Sequence, residues 1–296
     1  MSILKRYAAH IFLISAVLSL FAGLFLLFFR FDAYGRLVAL LDTNSVRIPI
    51  LMYHHFGDDG SPGTTISAEM FESHIKALRD DGYTAITFEQ LCGYVFDGAP
   101  LPQRPIIITI DDGYTSVYDI AYPILEKYDM SATVFIIGVL HGETLYKDTS
   151  YPVYPTHFGD AEALEMLRSG VISIQSHSFD MHQDEYYETG PFRLGVMQRS
   201  GESEEEYIAA FNADFECAAA QIESISGAQP FVYSYPFGRH SKMSEELLDD
   251  NGVKVTLTIV KGSSVVTRGS PESLFGLKRY NAYGNMTADK LLATIK

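Results

Sequence analysis

The stretch Ile106-Ile-Ile-Thr-Ile-Asp-Asp-Gly113 constrains this chain more than any other. A run of β-branched residues with no polar alternation reads as a central parallel strand, buried on both faces. The run stops on two acids, Asp111 and Asp112. Gly113 then frees the backbone to turn toward a helix cap at Thr115 or Ser116. In α/β folds ligands gather beyond the carboxyl ends of the strands, so both carboxylates belong at the expected site. Neighbouring side chains on a strand face opposite ways, and only a strand end lets adjacent acids serve one site from two angles. Asp111 and Asp112 should therefore have different tasks.

From Ile48 onward, short apolar runs alternate with amphipathic segments, the pattern of repeated β-α units. Strands are predicted over 48–53, 83–86, 106–110, 132–137, 171–176, 231–235, 255–260 and 277–280. The intervening helices carry start signals. Ser67 can cap one, Thr87 with Gln90 forms a capping-box pattern, and Ser203 with Glu206 opens the longest helix, which should run to Gly227. A helix after Gly113 should reach about Tyr128 with a kink at Pro123. The fold class is α/β, a distorted (β/α) barrel of seven or eight mainly parallel strands. The acids and histidines that follow the strands would then collect at one rim.

The N-terminus reads differently. Lys5 and Arg6 precede an apolar run from Ile11 to Phe29, nineteen residues closed by Arg30. At about 1.5 Å per residue this roughly spans a bilayer core. Ala22-Gly23 sits in mid-run, with Leu and Phe beyond it, which favours a retained anchor over a cleaved signal. The expected organisation is a short cytoplasmic segment over 1–10, a transmembrane helix over 11–29, a stalk over 30–47 and a folded domain over 48–296. Arg30 and Arg36 dilute the positive-inside signal of Lys5 and Arg6, so orientation rests on the function. The net charge of −15 argues against a nucleic-acid partner, because phosphates need a basic surface.

Two histidines also follow a predicted strand. His177 and His182 are five apart, a spacing that puts them on one face of neither a helix nor a strand. They converge only if His177 ends the strand and a turn through Phe179-Asp180-Met181 folds His182 back. An acid and two histidines leave a coordination position for water, as catalytic zinc sites do.

These stretches resemble the signatures of the polysaccharide deacetylase family (carbohydrate esterase family 4, the NodB-homology domain). Thr109-Ile-Asp-Asp-Gly113 is similar to its first signature, His177-Ser178 with His182 to its second, and Tyr235-Pro-Phe-Gly238 to its third. The five-residue histidine spacing, together with Tyr53-His54 on the first strand, resembles the branch that deacetylates poly-β-1,6-N-acetylglucosamine. The resemblance implies a hydrolase that removes N-acetyl groups from an N-acetylglucosamine polysaccharide outside the cell, using a divalent ion such as Zn²⁺. It assigns Asp111 as general base, Asp112, His177 and His182 as metal ligands, and His54 as the acid that protonates the departing amine. Phe237 stands where the family often has Tyr, and its backbone N–H, with Tyr235 beside it, would face the oxyanion. His55 should be structural. Arg279 is either a group that holds Asp111 ionised or a rim ion pair. Tyr146, Tyr151 and Tyr154 could stack on sugar rings. Peptidoglycan N-deacetylation, xylan O-deacetylation and an inactive membrane-tethered sugar-binding module are the competing functions.

Overall fold

The computed structural model describes residues 44–58, 61, 63–147, 149–183, 188 and 192–296. The expected membrane span over 11–29 lies outside them. Among the described residues, no helix is long and apolar enough to cross a membrane.

Seven parallel strands close into a barrel in chain order: β1 (Ile50–Tyr53), β2 (Pro105–Ile110), β3 (Ala132–Ile136), β4 (Ile172–Ser176), β5 (Val232–Ser234), β6 (Val255–Lys261) and β7 (Leu277–Asn281). β7 returns to β1 through Tyr280↔Leu51, and β1 pairs with β2 through Leu51↔Ile108. The short stretch Thr84–Ala85 is not a stave. It pairs with Pro105 and Ile106, below the part of β2 that β1 occupies. Around the strands lie α1 (Ala68–Asp80), α2 (Phe88–Phe96), α3 (Tyr122–Lys127), α4 (Asp160–Ser169), α5 (Glu204–Ser226), α6 (Lys242–Asp250) and α7 (Ala288–Ile295). The caps at Ser67, Thr87 and Ser203 form as their sequences require.

The period of two along β2 decides what the barrel holds. Ile106, Ile108 and Ile110 join a cluster with Phe71, Ile75 and Leu125 of the helical layer. Ile107 faces the other way, among Phe135, Val255, Leu257 and Leu277, over which α2 packs Phe88 and Leu91. Thr109 and Asp111 continue that inward row, so the interior passes from apolar at one end to polar at the other. A charged group placed there must find partners, because an unpaired buried charge is costly.

One predicted element takes another form, and one helix lies outside the predicted set. The segment after Gly113 is a π-helical turn, Val117–Ala121, followed by α3, and Pro123 lies in the first turn of α3 rather than at a kink. Tyr122 N–H donates to the Val117 carbonyl, so the wide turn runs straight into the residue that lacks an N–H. The C-terminal helix α7 has too few residues for a clear periodicity, yet Leu291 and Ile295 are buried in the main core.

The seam between β4 and β5 is thin, with one ladder pair at Ser176↔Tyr233. Gln175 replaces the missing ladder bonds, its Oε1 accepting the N–H groups of Phe231 and Val232 at 3.0 Å each. Gln175→Leu should therefore destabilise the domain by about 2 kcal/mol or more, through two backbone donors left without an acceptor. Urea unfolding checks this, and a change within about 0.5 kcal/mol would assign no such role to the amide.

Candidate active site

Asp111 is 1% exposed and meets Arg279 of β7 in a two-pronged ion pair. Nη1 donates to Oδ1 at 2.7 Å and Nη2 to Oδ2 at 2.8 Å. The remaining guanidinium donors reach the Thr258 carbonyl, Thr109 Oγ1 and Ser234 Oγ. Burial alone would raise the Asp111 carboxyl, but the Arg279 guanidinium beside it outweighs this and holds the group well below the usual carboxylate range. Arg279 is thus a buried partner of Asp111 and not a rim ion pair.

At Asp112 the strand geometry ends. Its φ is 74° and that of Gly113 is 79°, so two successive left-handed residues swing the second acid away from the first. A Cβ on Gly113 would meet Ile136 Cγ2 at 3.0 Å, and an L side chain at this φ is strained, so both demands select glycine. The bend is held from outside by the loop 156–158. His157 Nδ1 donates to the Asp112 carbonyl at 2.9 Å, and Thr115 N–H donates to Thr156.

The Asp112 carboxylate faces both histidines. His177 Nε2 and His182 Nε2 each lie 3.6 Å from Asp112 Oδ1, too far for hydrogen bonds. Two ligand atoms on one tetrahedral zinc stand roughly 3.3–3.4 Å apart, given bonds of about 2.0–2.1 Å. Three observations fit a metal. The three ligand atoms lie within 4.8 Å of one another, Asp112 Oδ1 is buried without a hydrogen-bond partner among the described residues, and His177 Nδ1 donates to the Ser234 carbonyl at 2.7 Å, leaving the Nε2 lone pair toward Asp112. Burial pushes His177 down to about 4, so its imidazole is neutral at neutral pH.

The turn between the histidines has the required form, with Ser178 at φ 75°. The rest of the predicted set is sorted by burial. His54 follows β1 at the same mouth, half-buried, and its Nδ1 has no partner among the described residues. Tyr53 points away and bonds to His74 at 3.0 Å, which fixes the strand end that carries His54. His55 braces Ser116 through Nδ1 at 2.9 Å, a structural task.

Phe237 has φ 56° and is 36% exposed, with its ring 4.1 Å from that of His182. The bonds that close its turn run from Gly238 N–H to Tyr235 and from Arg239 N–H to Pro236, and neither uses the Phe237 N–H. The Tyr235 side chain is fully buried and stacks on His240, so it supports this turn and has no access to a polymer. Tyr146 is likewise buried, bonded to Glu188, whereas Tyr151 and Tyr154 are exposed. A cavity of about 110 Å³ beside His182 is lined by Tyr114, Leu140, Val153, Tyr154 and His157. His157, which braces the Asp112 bend from a long loop, carries no recognisable sequence signal.

A parallel barrel with a buried carboxylate and an Asp-His-His cluster that could hold a metal ion gathers hydrolytic chemistry at one mouth. The chain belongs to the polysaccharide deacetylase family, whose model matches residues 98–256. YxkH of Bacillus subtilis is 27% identical over 250 residues, 84% of this chain and 76% of YxkH. The poly-β-1,6-N-acetyl-D-glucosamine N-deacetylase of Staphylococcus aureus MRSA252 is 32% identical over 118 residues, 40% of this chain and 38% of that protein. The chain shares its fold with a de-N-acetylase from Aggregatibacter actinomycetemcomitans, at a TM-score of 0.70 and 21% identity, over 84% of this chain and 100% of that one.

Burial pushes His157 as well as His177 down to about 4. Both are neutral in the folded protein, whereas the unfolded chain takes up protons near the ordinary value of about 6.5. Stability is therefore intact above about pH 6.5 and is lost as pH falls toward 4, by roughly 3 kcal/mol for each group. Asp214, which burial raises to about 6, opposes this in part, since the folded state then binds its proton more tightly. Urea unfolding of the metal-free protein should show a net loss of a few kcal/mol between neutral pH and about pH 4.5. Equal stability at the two pH values would contradict the burial of neutral imidazoles.

Proposed function

We propose that this polysaccharide deacetylase is a metal-dependent N-deacetylase of an N-acetylglucosamine polymer outside the cell, with a poly-β-1,6-linked exopolysaccharide favoured. The observation that carries the reading is the gathering of Asp111 with Arg279, Asp112 with His177 and His182, and His54 at one barrel mouth. The staphylococcal relative's name supports the polymer, as do the histidine spacing and the Tyr53-His54 pair. The apolar run 11–29 supports a retained anchor with the domain 48–296 on the outer side, where such a polymer lies.

Asp112, His177 and His182 would hold a divalent ion, zinc or one like it, which when bound polarises the acetyl carbonyl and makes water more acidic. Asp111 accepts a proton from the attacking water, and Arg279 keeps it in the acceptor form across the neutral range. The Phe237 N–H faces the oxygen that gains charge. His54 gives a proton to the departing nitrogen, since an amine leaves poorly as an anion. The balance is one amide and one water consumed, one acetate and one amine formed. Tyr154 and Tyr151 offer exposed aromatic faces beside the site for neighbouring sugars.

One observation favours a second assignment within the same reaction. Both Asp111 oxygens are engaged by Arg279, which lowers their basicity. Asp111 would then be a fixed counter-charge, and His54 would carry the proton both ways. A pH profile of kcat/KM separates the two: an acid limb below the carboxylate range assigns the base to Asp111, and one above that range that His54→Gln removes assigns it to His54.

Asp112→Asn should lower bound metal by roughly 10-fold or more, whereas Asp111→Asn should keep its metal and lose turnover. Metal analysis of both purified variants decides this, and equal metal loss would end the division of tasks. The polymer is tested by acetate release from defined β-1,6 and β-1,4 N-acetylglucosamine oligomers, peptidoglycan and acetylated xylan. Preference for the β-1,6 series is expected. Preference for peptidoglycan or xylan would replace the polymer, and release from none would favour a sugar-binding module.

A further inference from the structure

We propose that Asp214, on α5, is a positioning residue for the metal centre: its carboxylate clamps the turn between His177 and His182 and so sets how the two imidazoles meet. This rests on the reading of Asp112, His177 and His182 as metal ligands. The five-residue spacing does not bring the histidines together in any regular structure. The turn does so, and its shape must be imposed from outside, because Ser178 at φ 75° is a conformation that L residues seldom adopt unaided.

Asp214 imposes it through two consecutive donors. Phe179 N–H donates to Oδ2 at 3.0 Å and Asp180 N–H to Oδ1 at 2.6 Å. A carboxylate that accepts successive backbone N–H groups fixes the plane of the peptide between them, and charge-assisted bonds of this kind are stronger than neutral ones. The side chain itself is fixed by its helix, since Phe211 and Phe215 on either side are buried in the packing of α5. The helix therefore sets the position of the turn.

The opposite edge of the turn is held to the same helix. Gly138 N–H donates to the Ser178 carbonyl at 3.0 Å and Val139 N–H to that of Phe179 at 2.9 Å. A Cβ on Gly138 would come within 2.5 Å of the Phe179 ring and 2.7 Å of Gln221 Oε1. Gln221, seven residues beyond Asp214 on α5, donates to the Gly138 carbonyl at 3.1 Å. One helix thus grips the turn directly through Asp214 and indirectly through Gln221. Lys147 adds a third tie, from Nζ to Asp180 Oδ1 at 2.8 Å. Met181 N–H is met from inside the turn, by Ser178 Oγ at 3.1 Å, whereas the Phe179 and Asp180 N–H groups are met from outside it, by Asp214.

The test uses the full chain stripped of metal. Zinc affinity is measured by competition with a chromophoric chelator, and ligand geometry by the visible spectrum of the cobalt-substituted protein. Zinc binding by the parent, and its loss in Asp112→Asn, test the underlying reading. The Asp214 variants test the inference alone. Asp214→Asn keeps the shape of the side chain but sets an amide N–H₂ against one of the two donors, and should lower zinc affinity roughly 10-fold with an altered cobalt spectrum. Asp214→Ala should lower it further. If Asp214→Asn folds and binds zinc within about 2-fold of the parent with the parent's cobalt spectrum, while only its metal-free stability falls, the clamp does not position the ligands. Failure of Asp214→Asn to fold would also overturn the proposal, by assigning the carboxylate to support of the fold.

Discussion

A buried guanidinium and carboxylate, Arg279 and Asp111, hold the mouth of this barrel together. Desolvating two charges costs several kcal/mol for each, and Coulomb attraction repays that only when the remaining hydrogen-bond capacity is also used. Here it is used. The five donors of Arg279 reach Asp111 twice, Thr109, Ser234 and the Thr258 carbonyl. Those partners lie on or just beyond β2, β5 and β6, and Arg279 itself lies on β7, so one side chain ties four staves at the end where the interior turns polar. Lysine could not substitute, because a single ammonium offers no fork for two carboxylate oxygens. Removing either partner alone would strand a buried charge, at a cost of about 3–5 kcal/mol.

Once Asp111 is committed inward, the neighbouring acid is free for other work. The left-handed pair at Asp112 and Gly113 takes the chain out of strand geometry, and His157 holds the bend from the far side. Asp112 is left with a buried oxygen that no described donor reaches, facing two imidazoles. The two acids differ in partners although both are buried. Asp111 has a cation of the chain's own, whereas the buried Asp112 oxygen faces two imidazoles at 3.6 Å without a hydrogen bond. This contrast is the physical basis on which we propose separate tasks for the two acids.

Much of this was legible from local chemistry. The apolar run ending on two acids announced β2 and the site, and the capping pairs at Thr87 and Ser203 placed their helices, because each signal lies within a few adjacent residues. The motif residues were found for the same reason. Contacts between distant parts of the chain were not legible. Arg279 could have been a rim ion pair until β7 was seen to close the barrel. Tyr235 looks like a site residue in its signature, yet tertiary packing stacks it under His240. Tyr146 is buried although its loop neighbours are exposed, and Thr84–Ala85 fails as a stave because β1 has taken the edge of β2. Asp214 is one of several acids on α5, at the edge of its apolar face beside Phe211 and Phe215, and only the fold brings it to the histidine turn.

The central claim is that the barrel mouth hydrolyses an acetamide with the help of an ion held by Asp112, His177 and His182. It is tested most directly by counting acetate and free amine together from a defined N-acetylglucosamine oligomer, first with the protein as purified, then after a chelator has emptied it, and again after zinc is returned. The account predicts one amine for each acetate, loss of both on chelation and recovery of both with zinc. Undiminished acetate release from protein shown by metal analysis to be empty would contradict it.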